Sequence, residues 1–261
     1  MILTYVGLCV SAFFAGILNA VAGGGTLLTF PALFAALPAD PISATIANAT
    51  STTALLPGSF AGAWGYRTEL RDSRALLVRL IWPSLIGGGI GTLLVTELDP
   101  SIFQAMVPWL ILMAAVLFAL QKPISNWIKK GRTDHAPTGG TLMGVLAFQF
   151  VVAVYGGYFG AGIGILMLTA LSFMDLRDIH QMNGVKTVLA STINLVSVVI
   201  FAISGQIRWD LAGIMAGSAI AGGYLGARVA RRLPAVWVRS MVIVIAFSLA
   251  IFYFIRQWLN S

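Results

Sequence analysis

The stretch Tyr155-Gly156-Gly157-Tyr158-Phe159-Gly160-Ala161-Gly162-Ile163-Gly164 decides the fold. It lies inside an apolar run from about Thr141 to Met174 and interrupts it with glycines. A helical segment follows, about Ile179 to Ile203, with Asn183, Lys186, Thr187, Ser191, Asn194 and Ser197 at spacings of three and four. Those spacings put the polar groups on one helical face. A lysine-bearing polar face in a segment this apolar is costly in a bilayer unless it lines a cavity. An earlier stretch, Gly16 to Gly62, repeats the plan: Ala22-Gly23-Gly24-Gly25-Thr26-Leu27-Leu28 lies over Ala161-Gly162-Ile163-Gly164-Ile165-Leu166-Met167 at a constant offset.

Composition agrees with a bilayer. Hydrophobic residues make up 58% of the 261 and charged residues 10%, and the mean hydropathy is +0.90. A soluble domain carries roughly 25% charge, so there is too little polar material here to cover a wet surface. Apolar runs about 20 residues long, enough to span about 30 Å of hydrocarbon as helix, recur along the chain. The net charge of +7 comes from loops between these runs, as in cytoplasmic loops. It therefore speaks of orientation and not of nucleic acid. Cys9 is the single cysteine, which rules out an intrachain disulfide and a cysteine-rich metal site.

The expected fold is all-α and polytopic. A first repeat covers 1–121, a linker 122–137 and a second repeat 138–261, within one integral membrane domain. In the first repeat, apolar segments run from about Ile2 to Leu37, Ile42 to Trp64, Ala75 to Thr96 and Ile102 to Leu120. In the second they run from about Thr141 to Met174, Ile179 to Ile203, Leu211 to Val229 and Val236 to Trp258. Eight straight crossings would leave the 67–79 and 228–239 basic loops on opposite sides. If the two glycine-broken segments are instead re-entrant hairpins, loops 67–79, 122–137 and 228–239 all face the cytoplasm and the Glu97/Asp99 turn faces out. Each half is then a broken hairpin plus three crossings, and the repeats are inverted, as in many secondary transporters.

The candidate site follows from this plan. Broken helices expose amides at the start of their second halves, with partial positive charge suited to an anion. On that basis Gly23, Gly24, Gly25, Gly162 and Gly164 are expected beside the ligand, since glycine lets it approach the backbone. Asn183, Lys186, Thr187, Ser191 and Asn194 supply the polar stripe. Asn48, Ser51 and Thr52 are the first-repeat counterparts, able only to hydrogen-bond. Asn19, Gln149 and Tyr158 stand beside the breaks. Two readings of Lys186 stand: it faces the cavity as the anion's charge partner, or it snorkels to the cytoplasmic interface. The Ser and Thr residues likewise either face a ligand or bond back to their own helix carbonyls.

No phosphate-binding G-x-x-x-x-G-K-[ST] run is present, so ATP hydrolysis on this chain is not expected. His135 and His180 are too few and scattered for a metal site. Neither a cofactor nor catalysis is expected. The expected partners are a small anionic substrate, the lipid bilayer and a coupling ion, proton or sodium, and no nucleic acid. A channel and a non-transporting scaffold are the alternatives to a carrier.

Gly16-x-x-Asn19-Ala20-Val21-Ala22-Gly23-Gly24-Gly25 with Pro31, then Ala47-Asn48-Ala49-Thr50, resembles the first-repeat signature of the TauE/SafE family. This is also called the sulfite exporter or toluene-sulfonate uptake permease family. The run from Tyr155 to Gly164, followed by His180-x-Met182-Asn183-x-x-Lys186, is similar to its second-repeat pattern, with Ile163 in place of a middle glycine. The resemblance implies a bacterial inner-membrane transporter of sulfite, sulfonates or related oxyanions. It fixes neither substrate nor direction.

Overall fold

The computed structural model describes residues 2–21, 24–130, 139–174, 176, 179–229 and 235–260. Among them the chain is helical, with no strand. The first half holds α1 (Ile2–Val21), α2 (Thr26–Ala36), α3 (Ile42–Gly65), α4 (Arg74–Glu97) and α5 (Pro100–Lys130). The second holds α6 (Gly139–Tyr158), α7 (Ile163–Leu171), α8 (Ile179–Ile203), α9 (Trp209–Val229) and α10 (Ala235–Asn260). Five of these, α1, α4, α5, α6 and α8, contain stretches long and apolar enough to cross a membrane. The protein is an all-helical, multi-pass membrane protein.

Both breaks form where the glycines are. Gly24 has φ +121°, Gly160 +81° and Gly162 +80°, and no other residue type adopts positive φ among the described residues. A side chain is strained there, so only glycine reverses the chain so sharply. The helices before the breaks are longer than a half-membrane hairpin requires. α1 and α6 each have 20 residues, whereas α2 has 11 and α7 has 9. Each broken segment is thus a full-length helix, about 30 Å at roughly 1.5 Å per residue, followed by a short one.

The central linker is also shorter than its composition suggests. α5 continues through Pro123 to Lys130. Residues 131–138, with His135, lie outside the described residues. So do Gly23, the loop residues Asp175, Arg177 and Asp178, and residues 230–234. At the other end of α5, the Asp99 carboxylate accepts the Ser101 amide at 2.8 Å with Pro100 between them, an N-cap with proline at the first helical position. The hydrogen bonds from Ser101 hold the Asp99 carboxyl below its usual range.

The halves interleave. α1 packs on α9, and α6 on α4; α3 also packs on α9, and α8 on α4. The crossings are made by glycine. A Cβ on Gly16 would strike the carbonyl of Ala219, and one on Gly222 the carbonyl of Phe13. At the matching crossing, Gly157 abuts the carbonyl of Gly88, and Gly91 that of Val154. Backbones approach this closely only between small residues. Thr92 stitches the second crossing, its hydroxyl lying within reach of the Gly157 carbonyl at 3.2 Å and Ser197 Oγ at 2.7 Å. Gln149 Nε2 donates to Ser84 Oγ between α6 and α4, so this candidate beside the second break pins two helices together.

Contact positions give the relative directions. Gly62 meets Thr187 while Gly184 meets Tyr66 and Leu70, so α3 and α8 run antiparallel. Thr50 Oγ1 accepts the Arg208 amide and Gly58 lies nearest Ala219, so α3 and α9 run parallel. Gly88 meets Ile193 and Thr92 meets Ser197, which makes α4 and α8 parallel.

Candidate functional site

Two groups of polar residues emerge, and the sequence had merged them into one. The first gathers at α5. A Cβ on Gly24 would meet the ring of Phe118, and one on Gly162 would lie 3.7 Å from the Ala114 Cα. Both breaks therefore rest on one turn of α5. Asn48, 1% exposed, joins them: its Nδ2 donates to the Tyr158 carbonyl at 3.0 Å. Ser51 pairs with Thr29, whose hydroxyl also reaches the Gly25 carbonyl at 3.2 Å. An aromatic cluster of Phe30, Phe103 and Phe159 closes this region, with Tyr158 against Phe103.

At the first break the Gly24 and Gly25 amides expected for a ligand are already occupied. Asn19 Oδ1 accepts from Gly24 at 3.1 Å and Gly25 at 3.3 Å. Asn19 is thus a cap that satisfies the start of α2. Asn19→Ala should cost about 1 kcal/mol, a loss of about 2–4 °C in a chain of this size. Thermal unfolding checks this, and an unchanged midpoint would deny the cap. At the second break Tyr155 donates its hydroxyl to the Ala161 carbonyl at 2.6 Å. α7, beginning after Gly162 with Ile163 and Gly164, has no side-chain cap. The Tyr158 hydroxyl points to Met106 Sδ at 3.4 Å, so this residue faces the break with its carbonyl.

The second group surrounds Lys186. Lys186 is 7% exposed, packed among protein atoms, whereas a snorkelling ammonium stands at the surface. Nζ donates to Asn183 Oδ1 at 3.0 Å, and no carboxylate of a described residue lies in salt-bridge range of it. A buried ammonium with one neutral partner lacks the compensation that charge burial requires. Thr187, against Gly62 of α3, donates to the Asn183 carbonyl, and Ser191 to that of Thr187. Ser197 also bonds back, to Ile193. The stripe's hydroxyls thus satisfy their own helix. Asn194 and Thr52 are half-buried.

Position separates the groups. Lys186 lies level with Gly62 of α3, and the breaks with Asn48, about 21 Å apart along that helix at roughly 1.5 Å per residue. A cavity of about 290 Å³ between α6 and α7 belongs to neither. Its lining of Thr141, Gly144, Val145, Phe148, Thr169, Ala170 and Phe173 is almost wholly apolar. Among the described residues no cluster of His, Cys, Asp or Glu could hold a metal. Sequence reasoning passed over Thr29, Tyr155 and Thr92, whose hydroxyls tie elements together. Only the flanking of each glycine run by tyrosine or threonine hinted at them.

Interleaved helices, two glycine breaks and a buried ammonium with no carboxylate partner among the described residues fit a membrane transporter. Comparison with known proteins identifies which kind. The family model described as sulfite exporter TauE/SafE matches residues 8–253, and the chain belongs to that family. It is 30% identical over 238 residues to a "Probable membrane transporter protein" of Haemophilus influenzae, covering 91% of this chain and 89% of that one. It is 26% identical to "Probable membrane transporter protein ORF9" of a Sinorhizobium species, with 94% and 90% covered. A further relative, "Probable membrane transporter protein YfcA" of Escherichia coli K12, is 26% identical with 85% and 77% covered. No solved structure matches the chain.

Proposed function

We propose that the chain is a secondary carrier for a small anion, namely sulfite, a sulfonate or a related organic or sulfur oxyanion. It works by alternating access in the bacterial inner membrane. The observation that carries this is Lys186: a buried ammonium with one neutral partner among the described residues is a standing demand for a negative ligand. Asn183 lies beside it, and its side-chain amide nitrogen supplies a further donor for the anion. An oxyanion suits a lysine because the ammonium offers three donors around one charge. The family's name adds sulfite to the first substrates to try.

The same proposal reads the halves as inverted repeats, 1–121 and 138–261. It is supported by the matched crossings of α1 with α9 and α6 with α4, and by the opposed directions of α3 and α8. Loops 67–79, 122–137 and 228–239 then face the cytoplasm. Movement of one bundle against the other exposes Lys186 first to one side and then to the other.

The test is a panel of sulfite, alkyl sulfonates and carboxylates added to purified protein, followed by counterflow in proteoliposomes. A carrier is stabilised by at least one member and exchanges it with saturation. Flux without saturation or counter-transport would make the protein a channel, and no stabilisation by any member would remove the anion site.

A further inference from the structure

The two halves place an asparagine at equivalent points of α3 and α8, and the partners of these asparagines differ. Asn48-Ala49-Thr50-Ser51-Thr52 lies over Asn183-Gly184-Val185-Lys186-Thr187, with asparagine and threonine matching at both ends. In α8 the asparagine oxygen receives the Lys186 ammonium at 3.0 Å. In α3 the residue in the place of Lys186 is Ser51, which is engaged with Thr29. Asn48 Oδ1 is buried with no hydrogen-bond partner, and so is Thr45 Oγ1, one turn away on the same face. Both residues are 1% exposed.

The orientation of Asn48 is fixed by its other atom. Nδ2 donates to the Tyr158 carbonyl at 3.0 Å, and exchanging the amide's two atoms would set oxygen against oxygen. The free oxygen therefore lies beside the last residue of α6, where the helix carries its partial negative charge. An orphan buried oxygen at the negative end of a helix, with a second one turn away, makes a site for a cation. All the donors are neutral, and no acidic cluster lies among the described residues. A divalent ion would need carboxylates, and neither donor titrates to hold a proton.

We infer that Thr45 Oγ1 and Asn48 Oδ1 bind a monovalent alkali cation, sodium in the first place, at the asparagine whose counterpart in the other half receives the ammonium of Lys186. The inference rests on the carrier reading, in which such an ion is the coupling partner of the anion.

The test is thermal unfolding of the purified full chain, without substrate, in sodium, potassium and choline chloride at equal ionic strength. Sodium should raise the midpoint by at least about 3 °C over choline. Thr45→Val, which keeps the shape and removes the oxygen, should lose that rise, while Lys186→Gln should keep it. Anion stabilisation is measured separately in choline salts, where Lys186→Gln should lose it. Equal midpoints in all three chlorides would overturn the cation site, as would a sodium rise surviving in Thr45→Val. A sodium rise in a protein that no anion stabilises would retain the site and remove the carrier.

Discussion

Lys186→Met should raise the unliganded protein's melting temperature and, in the same variant, abolish stabilisation by anions. The two effects come from one cause. Lys186 keeps an ammonium away from solvent with Asn183 Oδ1 as its one partner among the described residues, and an incompletely paired buried charge works against the fold. Methionine fills a similar volume without the charge. A gain of about 1 kcal/mol or more is expected, read as about 2–4 °C. Removing one member of a buried charge pair costs the ligand about 2–5 kcal/mol, or about 30-fold to a few thousand-fold in Kd. A residue that merely supports packing would move both readouts downward together. Unchanged anion affinity in Lys186→Met would take this side chain out of the mechanism.

Gly91→Ala should be among the most damaging single methyls at the described residues. Its Cβ would occupy the position of the Val154 carbonyl and lie 2.8 Å from the Tyr158 amide. Both are backbone atoms, so no rotamer change relieves the clash and α4 must move off α6. About 3 kcal/mol or more is the expected loss. It should also misplace Tyr158, whose carbonyl holds Asn48. Gly213→Ala is the control. Nothing lies within 4 Å of its Cβ, and an alanine in an open helical position is expected to be neutral or to stabilise by up to about 1 kcal/mol. Equal midpoints for the two variants would mean that the α4–α6 crossing is looser than described.

What was legible in the sequence, and what was not, divides along the range of the interactions. The helices and both breaks were readable because their causes are local: an apolar run of sufficient length, and glycines where φ turns positive. Lys186 was readable as an anomaly of charge in an apolar segment. The role of Asn19 was not, because a ligand's oxyanion and an asparagine oxygen make the same demand on the Gly24 and Gly25 amides. The hydroxyls of Thr187 and Ser191 were ambiguous for a similar reason, since a helix carbonyl one turn back competes with any ligand. Pairing Asn48 with the Tyr158 carbonyl needs residues more than a hundred apart, and no periodicity encodes that. The separation of Lys186 from the breaks was hidden for the same reason.

The interleaved crossings bear on how the protein is made. Gly16 emerges from the ribosome well before Ala219 and Gly222, which it and its helix must meet and which follow about 200 residues later. At about 5–20 residues per second that interval is about 10–40 s. Throughout it, the glycine-lined groove of α1 stands in the membrane without its mate. The small residues that make the mature contact so close are thus also a temporary docking surface. A cell that delays or truncates the distal part of the chain should accumulate an inserted, unassembled N-terminal portion that membrane proteases can clear.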